Sequence, residues 1–160
     1  MRLKLLWTIM RHKWYVLYAG IRLGVSLKRL LKHDLSKLSR AEFGPYARFR
    51  YGDRDDRQSS RAWAEAWWHH YFNNDHHWEY WLSRDPKLRG IPTGGNLPMS
   101  VDAAREMVAD WLAAGKVYEG KWPDLNDFTW FKKRRHEMQM HPLSWARLFI
   151  EIDKAAKLKW

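Results

Sequence analysis

The chain has 160 residues, no cysteine and 12 tryptophans, is 46% hydrophobic, and carries a formal net charge of +11. This length predicts a single domain spanning residues 1–160. Without cysteine there can be no disulfide, thiolate metal site or cysteine nucleophile, so any metal must be held by His and carboxylate groups, as suits a cytoplasmic protein. The positive charge predicts attraction to polyanions such as nucleotides, and weak non-specific binding of nucleic acid.

The N-terminal segment predicts helical structure. Apolar residues recur at helical spacing from Leu3 to about Lys32, with Gly20 and Gly24 as possible breaks, which indicates two helices or one kinked helix. Charged residues interrupt the first apolar stretch before it reaches the length of a signal peptide. No later run approaches the ~20 apolar residues of a membrane helix, so we predict no membrane span.

The middle of the chain predicts two further helices. Ser39 and Glu42 have the spacing of a capping box, which indicates a short helix starting there. Residues 51–60 are charged and turn-rich, and we expect a loop. A long helix is predicted from Arg61 to Trp81, because large side chains recur in steps of three and four along one face. The residues of that face are Trp63, Trp67, His70, Asn74, His77 and Trp81.

The C-terminal half predicts three more helices after a loop at residues 85–98 that is rich in proline and glycine. Ser100 is a suitable N-cap for a helix that runs through Ala114 and ends at Gly115. The other two run from residue 126 or 127 to 140, and from 143 to about 158. No segment alternates with period two, so we predict an all-α, single-domain bundle of about six or seven helices.

The dipeptide His33-Asp34 is the most informative feature for function. A neutral nitrogen beside an anionic oxygen suits divalent Mn, Fe, Co, Ni or Zn. Its ordinary alternative is a histidine at a helix C-terminus followed by an aspartate that caps the next turn. Further imidazoles and a carboxylate accompany the dipeptide: His12, His69, His70, His76, His77 and Asp110. Together they predict a site for one or two divalent transition-metal ions.

The two His-His pairs leave a choice of register. Adjacent helical residues diverge by about 100°, so only one member of each pair can face a common site. His70 and His77 share the tryptophan face that we take as buried, and are the predicted ligands. His69 and His76 have the same spacing and form the alternate register, while a polar surface stripe is the ordinary alternative for all four.

The helix after Ser100 carries two acids one turn apart. Asp110 is interpreted as a metal ligand, although a solvated acid or salt-bridge partner is the common role of a helix carboxylate. Glu106 is either an acceptor that orients a ligand histidine or an exposed partner for Arg105.

The order His, His-Asp, His, His, Asp, with Lys37 three residues after the first aspartate, resembles the HD superfamily of metal-dependent phosphohydrolases and its di-metal branches. More narrowly, the HDLSK sequence at 33–37 and the HHYFNNDHHWEYW sequence at 69–81 look like a small family of bacterial and phage proteins of unknown function, over about His12 to Asp110. The resemblance implies an HD-like fold with a two-metal centre. One ion would be bound by His12, His33, Asp34 and Asp110, and a second, bridged by Asp34, by His70 and His77.

The resemblance also implies an activity. The chain would be a metal-dependent phosphohydrolase that acts on a nucleotide or other small phosphorylated compound, with a metal-activated water as nucleophile. Asp34 and Lys37 would be catalytic, with Lys37 neutralising the substrate phosphate. The ordinary alternative for Lys37 is a solvated lysine. The same ligand order resembles the di-iron HD oxygenases. A third possibility is a non-enzymatic basic protein that binds nucleic acid or a protein partner.

Overall fold

Helices make up all the regular structure in the computed structural model, which describes residues 1–53, 61–83, 85, 87 and 96–160. Within these residues there are seven α-helices and no strand, which confirms the all-α prediction. They are α1 (Arg2–Leu23), α2 (Leu27–Lys32), α3 (Phe43–Tyr51), α4 (Arg61–Asn73), α5 (Val101–Glu119), α6 (Thr129–Arg134) and α7 (Pro142–Ala156). Short 3-10 helices lie at Leu35–Leu38, Trp78–Trp81 and Arg135–Glu137.

Helix α5 is the centre of the packing. Helix α1 lies along one side of it and α7 along another, while α3 packs on the outer side of α1. Buried alanines on α5 allow these close approaches, and Met107, Val108 and Leu112 fill the space between the helices. Because α5 is surrounded in this way, the polar side chains at Glu106 and Asp110 are carried into the interior rather than to solvent.

Of the two alternatives for the N-terminal segment, two helices or one kinked helix, the structure shows two helices. Gly24 ends α1 in the left-handed conformation, with φ of 78°, and Ser26 caps α2 by accepting a hydrogen bond from the Arg29 N–H. Gly20 is not a break. A Cβ there would lie 2.3 Å from Leu30 Cδ2, so this glycine allows α2 to approach α1 closely.

Three predicted helix ends are wrong. The segment after Asn73 leaves the helix, so α4 does not continue to Trp81. Helix α5 passes through Gly115, where a Cβ would meet the Pro123 ring at 2.4 Å, and ends at Gly120 with φ of 77°. The helix expected over 126–140 is confined to α6 and the 3-10 turn after it, Arg135–Glu137.

The predicted capping box is also wrong. Helix α3 begins at Phe43, one residue after Glu42, without a side-chain cap. The buried Ser39 hydroxyl has no hydrogen-bond partner within the described chain. The loops predicted at 51–60 and 85–98 lie largely outside the described residues. Within the part that is described, no helix combines the length and apolarity needed to cross a bilayer.

Candidate metal centre

Asp34 lies at a sharp turn between α2 and the 3-10 helix Leu35–Leu38. Its φ of 56° is left-handed, the single such value at a non-glycine position in the described residues. Aspartate adopts this conformation more readily than most residues, but it still carries strain, typically about 1–3 kcal/mol at functional sites. The turn directs the carboxylate inward, where it is fully buried. Both of its oxygens face imidazole nitrogens.

A first group of ligand atoms surrounds Asp34 Oδ2. His33 Nε2 lies 3.3 Å from this oxygen and 3.5 Å from His12 Nε2. Asp110 Oδ1, from α5, is 2.8 Å from His12 Nε2. One atom from each of these four residues lies within 4.8 Å of the other three, a spacing that can hold a metal ion.

A second group surrounds the other oxygen of the same carboxylate. Asp34 Oδ1 is 3.3 Å from His70 Nε2 and 3.6 Å from His76 Nε2. His77 Nε2 completes the group at 2.9 Å from His70 Nε2. These four residues also have ligand atoms within 4.8 Å of one another. Asp34 therefore belongs to both groups, one oxygen to each.

The second group differs from the predicted register. Because α4 ends at Asn73, His76 and His77 lie on an irregular turn and both reach the site, so the expectation that His76 lies on a different face is wrong. Asn74 supports the turn by donating to the His70 carbonyl at 2.7 Å. His69 stays outside both groups. The polar run from Asn73 to Asp75, poor in helix formers, is the sequence signal that could have indicated the helix end.

Two buried glutamates lie behind the histidines. Glu106 Oε1 is 2.9 Å from His33 Nδ1 and 3.4 Å from His76 Nδ1. Glu42 Oε2 is 2.9 Å from His70 Nδ1. A histidine that donates from Nδ1 to a carboxylate presents its Nε2 lone pair on the other side, which is the arrangement found behind metal-ligating histidines. In this protein that side is the centre of the two groups.

These contacts decide the role left open for Glu106. It is a buried acceptor for ligand-group histidines, and its other oxygen accepts a hydrogen bond of 2.7 Å from Arg29 Nε. Arg105 instead lies 3.3 Å from the buried Glu151. Glu42 has a comparable role that the sequence reasoning missed, because the residue was assigned to a helix cap.

Several polar atoms at the centre lack partners. Asp34 Oδ1, His76 Nε2 and His12 Nδ1 are buried and have no hydrogen bond within the described chain. Burying such an atom unpaired costs about 1–3 kcal/mol, and more where the group is charged. A cation between Asp34 Oδ1 and the Nε2 atoms would satisfy the first two. The nitrogen and carboxylate donors fit a divalent transition metal.

Burial and charge set the protonation of the centre. Burial lowers the pKa values of His12, His70 and His77, for His77 with the added effect of its neighbouring imidazoles. Burial also opposes charge on His33, but the charge of Asp34 and the hydrogen bonds that the His33 ring donates to nearby carboxylates raise its pKa well above the ordinary value. The pKa of Asp34 is well below its usual range, because His33 and Lys37 outweigh the effect of burial.

Acid is expected to destabilise the metal-free protein. Unfolding restores the pKa of His12, His70 and His77 to about 6.5, so the unfolded chain binds more protons below that pH. His33, whose pKa is raised, adds to the free energy of unfolding, and this contribution is fully present and constant below pH 6.5. Thermal unfolding in EDTA should show Tm falling from pH 6.5 downwards, because the free energy of unfolding drops by up to about 1.4 kcal/mol per histidine and pH unit. Glu79, whose pKa burial raises to about 7, opposes this fall by the amount of one such group. An unchanged Tm would contradict the lowered pKa values of these three histidines.

The centre opens into a cavity of about 470 Å³. Lys37 lines it and donates to Asp34 Oδ2, with its ammonium group 5.9 Å from the centre of the Tyr46 ring. Glu79, which the sequence reasoning did not single out, lines it too, and burial raises its pKa to about 7. The aromatic residues of the wall are Tyr46, Phe49, Trp63, Trp67, Trp78, Trp111, Tyr118 and Trp130.

Substitutions of His76 and His69 allow the second group to be tested. His76→Ala removes a nitrogen beside Asp34 Oδ1, and we expect binding of one metal ion to weaken by about 100-fold or more, since an outer-shell partner alone is worth about 10–100-fold. His69→Ala, whose ring hydrogen-bonds Glu42 Oε1 at 2.7 Å, should cost at most about tenfold. Metal titration by calorimetry gives both values. Equal losses would contradict the assignment of His76.

The comparisons with known proteins give one match. The model of a family of unknown function, DUF5662, matches residues 1–153. The matched range includes every residue of both ligand groups. No curated protein and no solved structure matches the chain. The family description assigns no activity, so function has to be argued from the centre itself.

Proposed function

We propose that this chain, which belongs to the family of unknown function DUF5662, is a metal-dependent phosphohydrolase acting on a nucleotide or other small phosphorylated compound. The observation that carries the proposal is the sharing of Asp34. Its two oxygens each face a separate group of ligand atoms, as a carboxylate bridging two metal ions would. The predicted ligands His12, His33, His70, His77 and Asp110 lie in these groups, together with His76.

The chemistry follows from the donor set. Two bound ions would lower the pKa of a bound water and hold the entering and leaving oxygens of a phosphoryl transfer. Asp34, His33 and Asp110 would hold one ion with His12, and Asp34 would share the second with the histidines of the other group. Lys37, whose charge now neutralises Asp34, would be free to neutralise a substrate phosphate in the adjoining cavity.

Resemblance and charge support the finer parts of this proposal. The order of histidines and aspartates supports a relation to the HD phosphohydrolases. The net charge of +11 supports an anionic substrate and weak, salt-sensitive binding of nucleic acid, because each phosphate contact releases counterions. The lack of cysteine agrees with a cytoplasmic location.

Metal content and hydrolysis test the proposal together. Protein purified without a histidine tag should contain Mn, Fe, Co, Ni or Zn by mass spectrometry, or bind such ions on titration after chelation. The metal-loaded protein should release phosphate from members of a nucleotide panel, and EDTA should abolish the release. A chain that neither contains nor binds a transition metal would rule the proposal out.

An oxidative reaction is the second candidate, and the abundance of histidine in both groups favours it. Five imidazoles and two carboxylates form the groups around Asp34, and such mixed shells suit iron. Samples loaded with iron under anaerobic conditions distinguish the two reactions. Phosphate release with Mn or Co, without oxygen consumption by the iron form, would decide for hydrolysis, and the reverse result for oxidation.

A further inference from the structure

Three cationic side chains line the cavity beside the metal centre, and two of them are already paired. Lys37 donates to Asp34, and Arg134 forms a 3.0 Å ion pair with Glu137. Arg50 differs: within the described chain, no carboxylate lies at salt-bridge distance from its guanidinium. The cavity therefore contains one cation whose charge is not balanced by any of the described carboxylates.

Arg50 is held in place by an aromatic ring. Its guanidinium carbon lies 4.0 Å from the centre of the Tyr118 ring, in the range of a stacked cation–π contact. Stacking uses the face of the guanidinium, and the N–H donors at its edge make no hydrogen bond within the described residues, so they are placed to bind a ligand. Such a planar, orientated donor set matches the oxygens of a phosphate better than a mobile lysine does.

Arg50 stacks on α5 about two turns away from the residue that this helix contributes to the metal centre. Tyr118 and Asp110 both belong to α5, and with a rise of about 1.5 Å per residue they are about 12 Å apart along the helix axis. A backbone separation of this size leaves room for a second anion at Arg50 beside one held between Asp110 and Asp34. Trp111 and Trp130 line the cavity, and offer apolar surface to the body of a ligand.

We propose that the substrate carries two phosphate groups, one that reacts at the metal centre and a second that Arg50 binds in the same cavity. This inference rests on the proposed phosphohydrolase function and adds the substrate class to it. Arg50 acts as a specificity-determining residue, since it contacts the substrate away from the reacting atoms.

Two ligands that differ by one phosphate test this. Binding of adenosine 5′-monophosphate and of adenosine 3′,5′-bisphosphate to the metal-loaded protein is measured by calorimetry. We expect the wild type to prefer the bisphosphate by about tenfold, a conservative value for a hydrogen bond between charged groups. Arg50→Gln should remove the preference and leave the affinity for the monophosphate within about threefold.

Arg48→Gln is the matched control, because Arg48 is exposed on the same helix but does not line the cavity. It should keep the preference for the bisphosphate. Arg50→Lys, which keeps the charge without the planar donors, and Tyr118→Leu, which removes the stacking, should each give an intermediate preference. These two variants also decide the question if Arg50→Gln does not fold.

The outcomes separate this inference from the function on which it rests. Equal affinity of the wild type for both ligands, equal losses with both in Arg50→Gln, or no binding of either ligand overturns the role of Arg50. Metal content and hydrolysis of the monophosphate, measured on the same samples, test the phosphohydrolase itself. A metal-loaded, active protein without the bisphosphate preference would contradict only the further inference.

Discussion

Replacing Asp34 with asparagine is expected to empty both proposed metal positions and to lower the proposed phosphate hydrolysis by at least about 10³-fold, since loss of one preorganised electrostatic contact alone costs about 10²–10³-fold. Both groups depend on this side chain, because Oδ2 belongs to one and Oδ1 to the other. Asparagine has one neutral oxygen and an amide that cannot bind a cation. It also tolerates the left-handed backbone, with φ of 56°, so the variant should fold.

The measurements are metal content by mass spectrometry, phosphate release, and circular dichroism to confirm folding. Asp153→Asn is the control, because this exposed aspartate on α7 pairs only with Lys157, at 2.6 Å, in the described structure. It should keep full metal content and activity. Full activity in Asp34→Asn would show that this residue takes no part in the mechanism. It would also contradict the proposal that two metal ions share the Asp34 carboxylate.

Glu106→Gln is expected to have the second largest effect. Glu106 is buried, and its carboxylate contacts His33 and His76 on one side and Arg29 on the other. Each contact that orients a ligand histidine is worth about 10–100-fold in metal affinity, so the loss of two should reach at least about 100-fold. The free energy of unfolding should fall by about 1–3 kcal/mol, because a hydrogen bond between charged groups is weakened while Arg29 keeps its ion pair with Asp75.

Glu65→Gln provides the control for Glu106→Gln, since Glu65 pairs with Arg61 on the exposed surface of α4. Its effect on metal affinity and stability should be small, because exposed ion pairs contribute about 0–1 kcal/mol. Metal titration and urea unfolding of the metal-free proteins give the two quantities separately. A Glu106→Gln variant that binds metal like the wild type would show that the histidines are orientated by their packing alone.

Local signals were sufficient for much of the fold. Gly24 marks the junction of α1 and α2 because a left-handed C-cap is determined by neighbouring residues. Ser100 marks the start of α5 because a side-chain N-cap is determined by neighbouring residues too. Gly115 led to a wrong helix end, because a glycine is needed there to leave room for Pro123. The local sequence pattern does not indicate this tertiary contact.

The centre was predictable to the extent that its chemistry depends on residue types. Histidines and aspartates in a short chain without cysteine pointed to a metal site, and the structure brings all the predicted ligands together. The addition of His76 depends on where α4 ends, and periodicity alone continued that helix too far. In the sequence, Glu42 is as compatible with a helix cap as with its observed contact with His70. Only the fold distinguishes these two roles.

Helix α4 packs against only a few of the other described elements. Among the described elements it packs against α3 and the 3-10 helices Leu35–Leu38 and Trp78–Trp81, not along the central α1–α5 pair. His70 reaches from α4 to the carboxylate of Asp34, so an ion bound there would cross-link this segment to the core. Removal of metal should then lower the free energy of local opening of α4 first, and its amide hydrogens should exchange before those of α5. Metal availability would thus control which part of the native protein is transiently unfolded.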